Sequence, residues 1–223
     1  MDDCPYDHRK KFYIFNPLQE WKLGQKIVDA AFFGDDYSKN QMHDGTPEHL
    51  LLNDMMQHIL QKNGVENRLE WRVHISMEKQ LNAISYPGGR IIFYELILDC
   101  VDNADQLAMI MSHEISHILQ RHCNRQISKK FLNICAMSFF FLSFDFGFSE
   151  MYFSEKMEDI FKLKHSREHE MRADEWGLKL MHRAGFDLEE CPKMIKSLDK
   201  GIRFYTGDSE SELSVEDAMS IPT

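Results

Sequence analysis

The most chemically specific pattern in the sequence is a pair of histidines four positions apart, with a glutamate directly after the first. These residues are His113, Glu114 and His117, in the pentapeptide HEISH. On a helix, positions i and i+4 leave the same face about one turn apart, so both imidazoles can bind one zinc ion. Glu114 projects toward the same side and can take a proton from a water molecule at the metal without being a ligand.

Apolar residues around this pattern predict the helix that carries it. They recur at helical spacing and are Leu107, Ile110, Met111, Ile118 and Leu119. The predicted helix covers residues 103–122, with Asp102 or Asn103 as its N-cap. Because a pair of histidines in an apolar helix is costly to bury unless it is used, this setting favours a metal site over a chance match.

A catalytic zinc site needs a third protein ligand and an open position for water. Residues 166–178 predict a second helix, on which Glu170 and Asp174 share a face. The spacing allows Glu170 to be the third ligand of a single Zn²⁺. Asp174 can then accept the outer N–H of a ligand histidine. The neighbouring His165 and His169 are interpreted mainly as surface residues.

Two further amphipathic segments predict helices that precede this site. Residues 17–33 carry apolar side chains at helical spacing. A second helix begins at Thr46-Pro47 and ends near Asn63-Gly64, where the cap residues are typical of helix boundaries.

Shorter segments between the helices predict a small sheet. Residues 71–77 alternate between apolar and polar side chains, which is typical of a half-buried strand. The turn at residues 87–89 leads into a second strand at about 90–94. Residues 11–15 are a further strand candidate. The predicted fold class is therefore α+β and mostly helical, with a small sheet packed over the helix that carries His113.

Composition narrows the possible functions. The chain has 223 residues, a formal net charge of -10 and five cysteines without a CxxC pair. This length predicts a single domain over residues 1–223. The acidic balance argues against a nucleic-acid partner, and the cysteine spacing argues against a disulfide framework. The first residues show no targeting pattern, and residues 206–223 are predicted to be a mobile tail.

The segment 131–148 is rich in phenylalanine, with the sequence FLNICAMSFFFLSFDFGF. Its length lies at the short limit for a membrane span, and Asn133 and Asp145 are costly in lipid. We interpret it as a helix that is buried or contacts a membrane, with a true span as the alternative.

Three blocks of the sequence, in order, resemble one family of enzymes. They are NAISYPGGRI at 82–91, HEISHILQRH at 113–122 and REHEMRADEWGLKL at 167–180. Over about residues 8–200 the chain resembles the HtpX-like and CAAX-prenyl-protease-like HExxH zinc metallopeptidases, and most of all the Oma-type mitochondrial inner-membrane metalloendopeptidases. The resemblance implies a gluzincin-like domain with one zinc ion per chain. The chain departs from the family pattern after the third block. The family often has a His-Pro pair there, whereas no histidine follows His182 in this sequence.

The resemblance also implies roles for particular residues. The third ligand of the family falls on Glu170, and the first block puts Asn82 and Ala83 among the candidates for substrate binding. The strand at 71–77 is a candidate edge for pairing with an extended peptide. Segment 131–148 lies where family members carry a membrane-contacting hairpin.

These observations predict a zinc-dependent endopeptidase in which Glu114 is the general base. By resemblance, its substrates are membrane-associated or misfolded polypeptides, processed in quality control or stress responses. Its location by resemblance is the mitochondrial inner membrane, with the bacterial periplasm or envelope as the alternative. The alternative function is an inactive zinc-binding pseudo-protease or a chaperone-like module. The oligomeric state is left open.

Overall fold

The computed structural model describes residues 12–32, 45–143 and 166–206. Several predictions concern positions outside the described part and are not tested. These positions are residues 1–11, residue 33, His165, residues 144–148 and residues 207–223. The described helices are α1 Pro17–Phe32, α2 Pro47–Lys62, α3 Glu95–Cys100, α4 Ala104–Leu119, α5 His122–Ser143, α6 Arg167–Arg183 and α7 Cys191–Thr206, with a 3-10 turn at Leu188–Glu190 before α7. The strands are β1 Arg72–Ser76, β2 Ala83–Tyr86 and β3 Arg90–Tyr94. The predicted mostly helical α+β class is confirmed.

Polar side chains cap the helices at the predicted positions. The Thr46 hydroxyl accepts from the His49 N–H at 3.2 Å and begins α2. Asn103, rather than Asp102, caps α4 by accepting from the Gln106 N–H at 3.0 Å. Each cap satisfies a backbone donor that the first turn of a helix leaves without an internal partner.

The sheet has the strand order β1-β3-β2, with β1 parallel and β2 antiparallel to the central β3. The predicted half-burial of the first strand is wrong, because β1 is buried from Val73 to Ser76 on both faces. One face of the sheet joins the main core with α2, whereas Ile92 and Tyr94 on the other face pack against Val28 of α1.

The predicted strand at 11–15 is absent over its described residues, 12–15. This stretch is fixed by side chains of α5 instead of by a neighbouring strand. The Ile14 N–H donates to the Ser128 hydroxyl at 2.9 Å, and the Phe15 carbonyl accepts from the Asn124 amide at 2.8 Å. Once these backbone groups are satisfied by α5, they do not need a sheet partner.

Helix α4 is buried along nearly its whole length and lies against β2 and α6. The core around it contains the most fully buried apolar side chains: Leu52, Met56, Ile59, Leu60, Ile91, Phe93, Met111, Ile115, Leu180 and Met181. Gly177 lets α6 approach α4 closely, because a Cβ at this position would lie only 3.1 Å from the backbone nitrogen of His113. This close contact brings the acidic face of α6 over the histidines of α4.

The predicted helix through residue 122 is interrupted, since α4 ends at Leu119 and α5 begins at His122. Arg121 between them has a φ of 55°, an uncommon conformation for a residue with a Cβ. Its guanidinium donates to Glu20 at 2.7 Å and to the Phe15 carbonyl at 2.9 Å, and it lies over the Tyr13 ring. These contacts hold the turn that starts α5.

The apolar segment from residue 131 is helical up to residue 143, as the C-terminal half of α5. Within the described ranges, no helix combines the length and the apolar character that crossing a bilayer requires.

Candidate metal centre and its surroundings

Three side chains from α4 and α6 bring their donor atoms to one point. The Nε2 atoms of His113 and His117 lie 3.0 Å apart. Oε2 of Glu170 lies 3.4 Å from His113 Nε2 and 3.6 Å from His117 Nε2. In the part of the chain that the structure describes, this is the one group of three His, Cys, Asp or Glu side chains whose donor atoms lie close enough together to hold a metal.

The spacing of these donors fits a zinc ion. Bonds of about 2.0–2.1 Å in a tetrahedral site place neighbouring ligand atoms about 3.3 Å apart, and the three observed separations of 3.0, 3.4 and 3.6 Å bracket that value. The second carboxylate oxygen of Glu170, Oε1, is buried and has no hydrogen-bond partner among the described residues. A carboxylate with a buried spare oxygen beside two imidazoles is a donor set suited to a bound cation.

Asp174 lies one helical turn beyond Glu170 and contacts the outer nitrogen of His113. Its Oδ1 is 2.9 Å from His113 Nδ1. Burial by itself lowers the pKa of His113, but the hydrogen bonds to Asp174 and Glu170 outweigh it and raise the pKa to about 10. Burial likewise favours a neutral Glu170, yet the two histidines hold its pKa well below the usual range. In the metal-free site, His113 therefore carries a proton on both ring nitrogens at neutral pH.

The outer nitrogen of His117 faces a different partner, His122 at the start of α5. The two Nδ1 atoms are 3.0 Å apart. His122 in turn stacks on His169, with ring centroids 4.3 Å apart and planes 6° from parallel. Both His122 and His169 are fully buried, so the prediction that His169 is a surface residue is wrong. It lies on the inner face of α6, with Gln126 Nε2 3.4 Å from its Nδ1.

Sequence reasoning missed the position of His122 because the spacing gave no sign of it. The motif block already contained this residue, but an uninterrupted helix would have turned it away from His117, about 140° further around α4. The left-handed residue Arg121 reverses the chain and brings His122 back to His117.

Glu114 is buried next to the cluster but does not belong to its three donors. Burial raises the pKa of its carboxyl to about 7, against the opposing effects of charge on His113 and of the nearby Ser85 side chain and backbone. A carboxyl with a pKa near neutrality can exchange a proton in either direction at physiological pH.

A cavity of about 180 Å³ opens beside His113, Glu114 and Glu170. Asn82 and Ala83, the predicted substrate-binding candidates, both lie in its wall. The remaining wall is mostly aliphatic and consists of Leu81, Ile97, Met109, Ile110, Leu178, Cys191, Met194, Ile195, Leu198 and Ile202, together with Asp174. The cavity thus places apolar surface from α3, α4, α6 and α7 directly next to the polar cluster.

The sheet edge at this cavity is β2, not β1. The Tyr94 N–H donates to the Asn82 carbonyl at 3.1 Å, and Ala83 lies opposite Phe93 in the antiparallel register. Hydrogen bonding in such a pair alternates, so the backbone groups of Ala83 and Ser85 point away from β3. At the far edge, the Val73 carbonyl of β1 is 3.1 Å from His49 Nε2. The strand suited to pair with a peptide near the candidate metal site is therefore β2.

The chain is similar to a family of peptidases and to several known proteins. The model of peptidase family M48 matches residues 48–215. The chain is 26% identical over 199 residues to the mitochondrial metalloendopeptidase OMA1 of Schizosaccharomyces pombe, covering 89% of this chain and 58% of that protein. It is 26% identical over 139 residues to the beta-barrel assembly-enhancing protease of Escherichia coli K12, covering 59% of this chain and 28% of that protein.

A further relative is the OMA1 metalloendopeptidase of Saccharomyces cerevisiae, 25% identical over 135 residues, which cover 59% of this chain and 38% of the yeast protein. The chain spans less than two thirds of the length of each of these relatives. The resemblance to Oma-type zinc metallopeptidases is confirmed. Because the family model covers most of the chain, from α2 through α7, the protein belongs to peptidase family M48.

Proposed function

We propose that the protein is a zinc-dependent metalloendopeptidase, with His113, His117 and Glu170 as metal ligands and Glu114 as the general base. The observation that carries this proposal is the convergence of the three donors beside a buried carboxyl on the wall of an open cavity. Membership of a peptidase family and the names of the relatives support the same class of activity.

Glu114 and Asp174 have different roles in the proposed hydrolysis of a peptide bond. When bound, a zinc ion supplies Lewis-acid chemistry that polarises a carbonyl group and lowers the pKa of water. Glu114 accepts a proton from the attacking water and then donates it to the leaving amine, for which a pKa near neutrality is suited. Asp174 holds His113 by its Nδ1–H and fixes the ring so that Nε2 faces the metal.

The substrate is an extended polypeptide that pairs with β2. The backbone groups of Ala83 that point away from β3 can hydrogen-bond to the substrate, which then adds a strand to the sheet. This is a common way to bind an unfolded polypeptide. Asn82 lies beside Ala83 at the cavity wall, where its amide can contact the substrate backbone. The aliphatic cavity then accepts an apolar side chain next to the scissile bond.

The class of substrate is proposed from the relatives and from segment 131–148. We infer membrane-associated or misfolded polypeptides, because the relatives named OMA1 are mitochondrial metalloendopeptidases and another relative is named for assembly of beta-barrel proteins. Segment 131–148 is the proposed membrane contact. The inferred location is the mitochondrial inner membrane, with the bacterial envelope as the alternative.

The proposed function is tested by cleavage of casein with zinc-loaded native protein and its Glu114→Gln variant. Removal of the general base is expected to reduce the rate by about 10²–10⁴-fold while zinc stays bound. Glu175→Gln is the matched control, because Glu175 is exposed on α6 and pairs only with Lys179 across one turn in the described structure.

Two results would contradict the proposal in different ways. Cleavage by Glu114→Gln at the native rate would remove Glu114 from the mechanism. One zinc ion per chain without cleavage of casein or of apolar peptides by the native protein would favour the pseudo-protease or chaperone-like alternative.

A further inference from the structure

His122 places a third imidazole directly behind the candidate ligand His117. Their Nδ1 atoms are 3.0 Å apart, and the rings meet edge to face at 77°. His122 is 0% exposed and His117 is 3% exposed, so this contact is shielded from solvent. In a buried setting, a hydrogen bond between side chains fixes their orientation more firmly than it does at the surface.

The contact determines which nitrogen carries the proton. A hydrogen bond between two imidazole nitrogens needs a proton on one and a lone pair on the other. Nε2 of His117 faces the other two donors of the cluster, so its lone pair is needed for the metal. His117 then carries its proton on Nδ1, and Nδ1 of His122 must accept the hydrogen bond from this N–H.

We propose that His122 is a positioning residue for the metal site. Its Nδ1 accepts the Nδ1–H of His117 and keeps His117 in the tautomer that presents Nε2 to the metal. This inference rests on the proposed metal site. It gives the two histidine ligands different supports, since His113 is held by the carboxylate of Asp174 and His117 by an imidazole.

The fold fixes His122 from two sides. On one side its ring stacks on His169, the residue directly before the candidate ligand Glu170. On the other side it follows Arg121, whose positive φ is stabilised by contacts with Glu20 and Phe15. His122 therefore links the helices of the second and third ligands, and the N-terminal segment contributes to the site through Arg121.

Two substitutions separate hydrogen bonding from packing. His122→Phe keeps an aromatic ring to stack on His169 but has no acceptor. His122→Asn loses the ring but offers a carbonyl oxygen near the position of Nδ1. The measured quantity is the zinc dissociation constant, obtained by competition with a chromophoric chelator, together with the melting temperature of each metal-free variant.

The proposal predicts that zinc affinity falls about 10–100-fold in His122→Phe, the range observed when outer partners of ligand histidines are removed. His122→Asn is expected to stay within about threefold of the native affinity. A purely packing role predicts the reverse order, and that result would overturn the proposal. If the native protein bound no zinc, the proposed function itself would fail; native binding with unchanged affinity in His122→Phe would refute only the role of His122.

A measurement on the native protein keeps the test valid if His122→Phe fails to fold. In zinc-loaded protein labelled with ¹⁵N-histidine, NMR is expected to show His117 protonated at Nδ1 and His122 unprotonated at Nδ1. A His122 Nδ1 that carries its own proton would overturn the proposal.

Discussion

The candidate metal site has two contrasting sides. On the cavity side, His113 is 16% exposed along its side chain, contacts the carboxylate of Asp174 and lies next to Glu114 and the aliphatic wall. On the other side, His117 is buried and contacts the imidazole of His122. The same type of ligand thus has a carboxylate partner where the site is open and an imidazole partner where it is closed.

The two partners suit the different requirements of the open and the closed side of the site. The open side must admit substrate and move protons, and the charge of Asp174 there favours a proton on His113. On the closed side, an unpaired charge would be costly, whereas an imidazole can accept a hydrogen bond without one. Removal of either partner is therefore expected to lower zinc affinity, whereas substitutions in the cavity wall are expected to change the choice of substrate.

A large effect on metal binding is expected from removing the charged partner on the open side. Asp174→Ala leaves His113 Nδ1 without its carboxylate, so zinc affinity is expected to fall about 10–100-fold. Chelator competition measures this loss, and Glu175→Ala, at an exposed neighbouring position that does not contact the histidines, is the matched control. A native affinity in Asp174→Ala would show that the closed side alone positions the ligands.

A smaller effect, on substrate choice rather than on metal, is expected from the cavity wall. Leu198→Phe reduces the space of the cavity without touching the three donors. Peptides with leucine next to the scissile bond are expected to lose about tenfold in kcat/KM, the scale of a one-group change in an apolar pocket. Peptides with alanine there should be affected less.

Leu198→Met is the control for this prediction because it approximately conserves side-chain volume. Equal losses for leucine and alanine peptides would mean that the cavity does not bind the side chain. A changed zinc content would mean that the cavity wall and the metal ligands are not independent.

A further effect expected on the open side is a dependence of zinc affinity on pH. Because the pKa of His113 in the metal-free protein is raised to about 10, the residue carries a proton at pH 7 that zinc must displace. Affinity should therefore decrease as pH falls, by about tenfold per unit for one displaced proton. Calorimetry in buffers of different ionisation enthalpy counts the protons released, and a count of zero would contradict this prediction.

The sequence predicted the parts of the site that depend on local spacing. One helical turn is enough to place His113 beside His117, and Glu170 beside Asp174, and these pairs lie as expected. The wall residues Asn82 and Ala83 also lie at the cavity, where the family resemblance suggested. Local periodicity and capping residues likewise predicted both ends of α1 and α2 and the starts of α4 and α6.

What the sequence did not predict depends on contacts between distant segments. The left-handed conformation of Arg121 is stabilised by Glu20, which lies 101 positions earlier and accepts from its guanidinium, and no local pattern encodes that contact. Two wrong predictions, the strand at 11–15 and the surface position of His169, have the same origin. Both stretches are positioned by contacts with α5. Propensity and spacing describe single elements, whereas these features arise between them.

The proposed zinc site is tested by the zinc content of purified protein. We would measure it by inductively coupled plasma mass spectrometry for the native chain, Glu170→Ala and the control Glu175→Ala. We expect about one zinc ion per chain in the native protein and the control, and almost none in Glu170→Ala. A native protein without zinc after purification in zinc-containing buffer, or a full equivalent of zinc in Glu170→Ala, would contradict the proposed ligand set.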